Sequence, residues 1–182
     1  LVEQDIAETR KGHGTFLKPL MLGNATFDLH ELQNVFTDPR TTVRILGASA
    51  LNASERVASK LNIQVGERVI YIRRLLLRDD EPIMYHREYM ILDPTNPTVE
   101  AELEVTSLGG LFTGSGHTML KRGDLCIDAT VLNTEEANIL RFKEGSPAFR
   151  IEHIFYDFSG SAVSWGWFIC RGDKLRFRSS VG

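Results

Sequence analysis

The chain has 182 residues, 42% hydrophobic and 25% charged, with a net charge of −3 at neutral pH. That is enough for one substantial core and at most a small appendage. The acidic balance excludes polyanion binding by the whole surface and leaves room only for a local basic patch. Cys126 and Cys170 stand far apart with no CxxC pair, which argues against a disulfide framework or a structural zinc site. No apolar run approaches the roughly 20 residues that span a bilayer, and no signal peptide opens the chain; a cytoplasmic, non-membrane protein is expected.

Residues 1–17 form a distinct opening segment. Two short β-type runs meet at a tip of Arg10, Lys11, Gly12, His13 and Gly14. The glycines allow positive φ and the basic residues project, a form that suits a nucleic-acid backbone and also an ordinary solvated turn. Residues 18–41 read as a linker with one short helix over Leu29–Phe36. A strand is expected over Thr42–Leu51, then a helix with Asn52 as N-cap and Glu55 completing a capping box, ending near Asn62.

The stretch from Gly66 to Ile91 reads as a long hairpin about which the chain is organised. Val69–Arg78 is apolar on both parities near its middle, the pattern of a central strand covered on both faces. Asp79-Asp80-Glu81-Pro82 makes the turn and Ile83–Ile91 returns. Arg73 and Arg74 interrupt the first run, so one of them faces inward and needs an acceptor, which either an internal salt bridge or a ligand would provide.

Beyond Asp93-Pro94 a weakly helical stretch, 101–112, precedes a glycine-rich loop. A strand is expected over Thr118–Val131, then a helix capped by Asn133 and ending near Arg141. Ala148–Phe158, a tight turn at Ser159-Gly160 and Ser161–Arg171 form a second long hairpin. A capped helix followed by a hairpin thus occurs twice, over Asn52–Met90 and Asn133–Arg171. Such duplicated units imply an α+β fold, a mixed or antiparallel sheet with helices packed against it. Two equivalent hairpins of this kind would line one cleft between them.

These features in this order resemble one family. Arg10-Lys11-Gly12-His13-Gly14-Thr15-Phe16-Leu17 looks like the wing of a winged helix-turn-helix from GntR-type bacterial transcription regulators. Residues 42–182 look like the effector-binding UTRA domain of their HutC subfamily. The matching features there are Asp79-Asp80-Glu81-Pro82 with Tyr89, Ala137 to Gly145-Ser146-Pro147, Tyr156-Asp157 to Gly160, and Arg171-Gly172-Asp173 to Phe177. The resemblance implies a mostly antiparallel, chorismate lyase-like sheet, a homodimer, and a small-molecule effector that places paired DNA-binding heads on an operator. The recognition helix would precede Leu1, so operator DNA would be read only by a full-length protein.

The resemblance also places an effector pocket. Arg74 keeps the first of two family arginines, whereas Leu76 replaces the second. His86 stands for a glutamate on the return strand, Thr106 or Ser107 keeps a hydroxyl, Ser164 replaces a second glutamate, Cys170 a tyrosine, and His153 an arginine. Phe168 shares the parity of Ser164, Gly166 and Cys170 and would join them in the pocket, with Trp165 and Trp167 on the other face. Fewer charges of both signs imply a small monoanion with an apolar body held by Arg74, with His86 or His153 hydrogen-bonding it or serving only as core. No activated nucleophile, cofactor motif or metal cluster is apparent, so no enzymatic activity, cofactor or metal is expected. A chorismate lyase-like enzyme and a ligand-free dimerisation module are the alternatives.

Overall fold

A computed structural model describes residues 7–10, 14–17, 40–92 and 122–175. The opening hairpin pairs β1 (Ala7–Arg10) with β2 (Gly14–Leu17), antiparallel, closing at Arg10 opposite Gly14. Its tip, Lys11 to His13, lies outside the described residues, as do the helix expected over Leu29–Phe36 and the helical stretch at 101–112.

The remaining elements are β3 (Thr41–Asn52), α1 (Glu55–Leu61), β4 (Arg68–Arg78), β5 (Glu81–Ile91), β6 (Arg122–Val131), α2 (Thr134–Leu140), β7 (Pro147–Tyr156) and β8 (Ala162–Arg171). The six strands form one antiparallel sheet in the order β3-β4-β5-β8-β7-β6. Two three-stranded meanders therefore meet along β5 and β8, and the sequence repeat is a structural one. The hairpins lie edge to edge in a continuous sheet and do not face each other across a cleft. The repeat extends to single bonds. Ala53 donates to Glu67 O and accepts from Gly66 N; Leu132 donates to Ser146 O and accepts from Gly145 N. Both glycines have positive φ, as have the helix C-caps Asn62 and Arg141.

Both helices pack on one face of the sheet. Val57, Ala58 and Leu61 of α1 meet Val69 and Trp165, whereas Ala137 and Leu140 of α2 meet Leu75, Leu77, Tyr85 and Ile169. The strand β4 is buried on both parities, as its composition required. Its turn to β5 is tighter than the four residues suggested by the sequence. Asp79 and Asp80 alone form it, with φ of 49° and 62°, the two-residue geometry that aspartate tolerates and that matches strand twist. Glu81 and Pro82 already belong to β5, and a register shift beside Leu77 accommodates the proline.

The cap of α1 also differs from expectation. Asn52 is still paired with Arg68 at the end of β3, so its side chain cannot serve a helix that has not begun. The cap is Ser54, whose side chain accepts from Val57 N at 3.4 Å. In α2 the box is complete: Asn133 Oδ1 accepts from Glu136 N at 2.9 Å, and Glu136 Oε2 accepts from Asn133 N at 3.2 Å. Replacing Asn133 by alanine should therefore cost about 1 kcal/mol in urea denaturation. Ser54→Ala should cost measurably less, because its bond is long. Equal losses would show that the reciprocal bond adds nothing.

Candidate functional site

Strand alternation sorts the interrupted arginine pair of β4. Arg73 points to the helix side, within 4.0 Å of Glu135, and is partly exposed. Arg74 points to the opposite face and is fully buried. Two rows of side chains cross the sheet on that face. One runs Arg74, His86, Phe168, Ile151; the next runs Ile72, Glu88, Gly166, His153. Leu76 and Cys170 pack with Phe168, Met84 and Ile151 beside them, and Ser164 is buried opposite Met90. The tryptophans face the helices: Trp165 Nε1–H donates to Glu152 at 2.8 Å, and Trp167 lies between the guanidinium groups of Arg87 and Arg150.

At the crossing of the rows is a buried polar chain. Arg74 Nη1 donates to Glu88 Oε2 at 2.5 Å and stands 3.4 Å from His86 Nδ1. His86 Nε2 and His153 Nε2 are 2.9 Å apart. A guanidinium can only donate, so Nδ1 of His86 accepts, its Nε2–H donates to His153, and the proton of His153 sits on Nδ1. That atom has no hydrogen-bond partner among the described residues. Phe168 stacks on His86 with ring centroids 4.0 Å apart, and Phe155 on His153 at 4.6 Å. Burial holds His86 well below the ordinary histidine range, with His153 and Arg74 adding to the effect. Burial likewise lowers His153 to about 4, the charge of Glu88 opposing. Both rings are neutral near pH 7. Burial pushes the Cys170 thiol far up, so it stays protonated and is no nucleophile.

Sequence reasoning thus brought Arg74, Leu76, His86, His153, Phe168 and Cys170 to one face, with Ser164 at its margin. Thr106 and Ser107 lie outside the described residues. Two positions on this face were missed. Glu88 has the parity of His86, so a carboxylate remains on this face although positions 86 and 164 lack one; the expectation that the acids were lost needs correction here. Gly166 is the other. It lies between Glu88 and His153, and a Cβ there would overlap Arg87 O and come within 2.9 Å of both Glu88 Cα and His153 Nε2. Only glycine lets side chains of β5 and β7 touch across the strand between them.

The motif residues near the chain end are structural. Arg171 Nη1 donates to Glu81 at 2.8 Å and to Pro82 O at 3.1 Å, and its Nε and Nη2 donate to Asp173 at 3.0 and 2.8 Å. The Glu-Pro and Arg-Gly-Asp signatures are therefore one clamp that fastens the start of β5 to the end of β8. A cavity of about 210 Å³ opens on the helix side, lined in part by Arg56, Arg87, Glu136, Arg150 and Trp167. Arg87 pairs there with Glu135 and Glu136 and Arg150 with Glu152, whereas Arg56 lies over the Trp165 ring.

Residues 39–176 match the UTRA domain family. The chain belongs to that family. Among curated proteins the chain is 24% identical over 180 residues to a "Probable fructoselysine utilization operon transcriptional repressor" of Escherichia coli (strain K12), covering 96% of this chain and 72% of the relative. It is 23% identical over 181 residues to the "HTH-type transcriptional repressor NagR" of Bacillus subtilis (strain 168), covering 97% and 73%. Its fold matches the effector domain of PhnF from Mycobacterium smegmatis, with a TM-score of 0.68, 22% identity, and coverage of 78% of this chain and 87% of that one. It also matches the ligand-binding domain of a putative GntR-family regulator from Bordetella bronchiseptica, with a TM-score of 0.66, 23% identity, and coverage of 79% and 90%. The antiparallel six-stranded sheet with two helices is the architecture of these domains, as expected from the sequence.

Two stability measurements test the geometry. Gly166→Ala should destabilise the domain by about 3 kcal/mol, because the obstruction includes backbone; a neutral result would mean that the strands can separate freely. Glu88→Ala should cost about 3–5 kcal/mol by stranding the Arg74 charge, whereas Arg74→Met combined with Glu88→Met should recover most of that loss. Denaturation of all three variants in urea would show both effects, and additive losses in the double variant would refute the pairing.

Proposed function

We propose that the chain is the effector-binding and dimerisation part of a GntR-family transcription regulator of the HutC subfamily, acting in the cytoplasm. The match to the UTRA family over residues 39–176 carries this reading. The repressors among its sequence relatives support the regulatory role. No helix among the described residues is long and apolar enough to cross a membrane. Effector occupancy changes the relative placement of paired DNA-binding heads, a coupling free energy between two sites. Arg10, Lys11, Gly12, His13 and Gly14 form the tip of the wing that meets operator phosphates.

The effector binds on the face bearing Arg74, Leu76, His86, His153, Phe168 and Cys170. Ser164 lies at its edge, and Thr106 or Ser107 supplies a hydroxyl. The apolar side chains suit a ligand with an apolar body. The anionic end is read by Arg74, whose charge Glu88 balances. An anion therefore competes with Glu88 or displaces it, and this favours a small monoanion over a phosphate ester.

A thermal-shift screen of small metabolic acids with aromatic or branched bodies tests both parts. At least one compound should raise the melting temperature by several degrees in a saturable way. The Arg74→Met/Glu88→Met double variant should bind it at least tenfold more weakly. Equal binding by the double variant would remove Arg74 from the site. Turnover of the compound would favour the enzyme reading, and no shift with any compound would favour a bare dimerisation module.

A further inference from the structure

We propose that His86, Glu88 and His153 form a binding site for one divalent transition-metal ion, of the kind that takes nitrogen and carboxylate ligands together. The three residues lie on β5 and β7 and reach each other over Gly166. Their ligand atoms all lie within 4.8 Å of one another, and all three side chains are buried. Two imidazole nitrogens 2.9 Å apart are close to the spacing of adjacent ligands of one ion, since two bonds of about 2.0–2.1 Å span roughly 2.9 Å at a right angle and roughly 3.3 Å at the tetrahedral angle. Both rings are neutral, the form that ligates, and two histidines with one carboxylate make a set that suits zinc, cobalt, nickel or iron. Glu88 spends Oε2 on Arg74 and retains a second oxygen for coordination.

The contact between the two Nε2 atoms leaves the proton of His153 on Nδ1, where coordination through Nε2 would also keep it. With an ion between the rings, both Nε2 lone pairs serve the metal and neither ring needs the other as partner. The same step moves the proton of His86 to Nδ1, facing Arg74. The metal site itself does not depend on the effector reading, and the chain would take up the ion with no metabolite present.

The test uses Co²⁺ alone, added to the purified 182-residue chain after chelator treatment. One equivalent per chain should bind, with visible d–d absorption of a four- or five-coordinate site and no thiolate charge-transfer band, because Cys170 is not a ligand. The signal should be displaced by Zn²⁺. His86→Gln and His153→Gln should each weaken binding at least tenfold, with far-UV circular dichroism reporting whether each variant is folded. No stoichiometric uptake by the unaltered chain would overturn the proposal without recourse to any variant. So would uptake unaffected by either substitution in a folded variant, or a thiolate band. Because no metabolite is involved, each of these failures would leave the effector reading standing.

Discussion

A guanidinium sealed inside a sheet is the constraint around which the described part of this domain is arranged. Arg74 is fully buried, and an uncompensated charge there would consume a large share of a typical domain's stability. Glu88 meets the charge from the neighbouring strand at 2.5 Å. The pairing sets the register of β4 on β5 as firmly as the apolar pattern does, because a slip of one residue would turn one partner to the helices. It also sets the polarity of what lies beside it. His86 must present an acceptor to Arg74, so its donor points to His153, and one ion pair fixes the tautomers of two rings.

The repeat explains why these groups meet. Arg74 follows Gly66 by eight residues, and His153 follows Gly145 by eight. Equivalent positions of the two units thus hold an arginine and a histidine, each reaching toward the junction of β5 and β8 from its own side. The units have diverged there: the first carries charge, and the second carries a neutral ring and a glycine that makes room for it. The helix-bearing face has kept the shared scaffold of capped helices and positive-φ glycines. On the other face the two halves differ.

Much of this was legible in the sequence because its causes are local. The helix cap at Asn133 depends on a few adjacent residues, and the alternation of β4 and β8 follows from strand geometry alone, so both appeared where expected. The inward placement of one of two adjacent arginines followed from the same alternation. What stayed hidden depends on pairing between distant strands. Nothing near Glu88 reveals that it lies opposite Arg74's neighbour, and Gly166 looks like a dispensable small residue until β5 and β7 are placed on either side of it. Asn52 misled for the complementary reason: its local pattern favours a cap, but the ladder with Arg68 holds it in the sheet.

The charge balance of this face limits what any ligand can be. Arg74 and Glu88 cancel and both imidazoles are neutral, so these four side chains together carry no net charge near pH 7. Adding an anion to such a buried, neutral cluster is unfavourable unless positive charge arrives as well, from a proton on an imidazole or from a cation held by the same ligands. A proton must overcome the burial that already lowers His86 and His153. A divalent cation meets the same burial and the same Arg74 charge, and offsets them only through its bonds to the two imidazoles and the carboxylate. A neutral ligand would escape this requirement but would leave the arginine with no function beyond the pair it already forms. An anion accompanied by a positive partner is therefore the ligand combination that uses every polar group on this face.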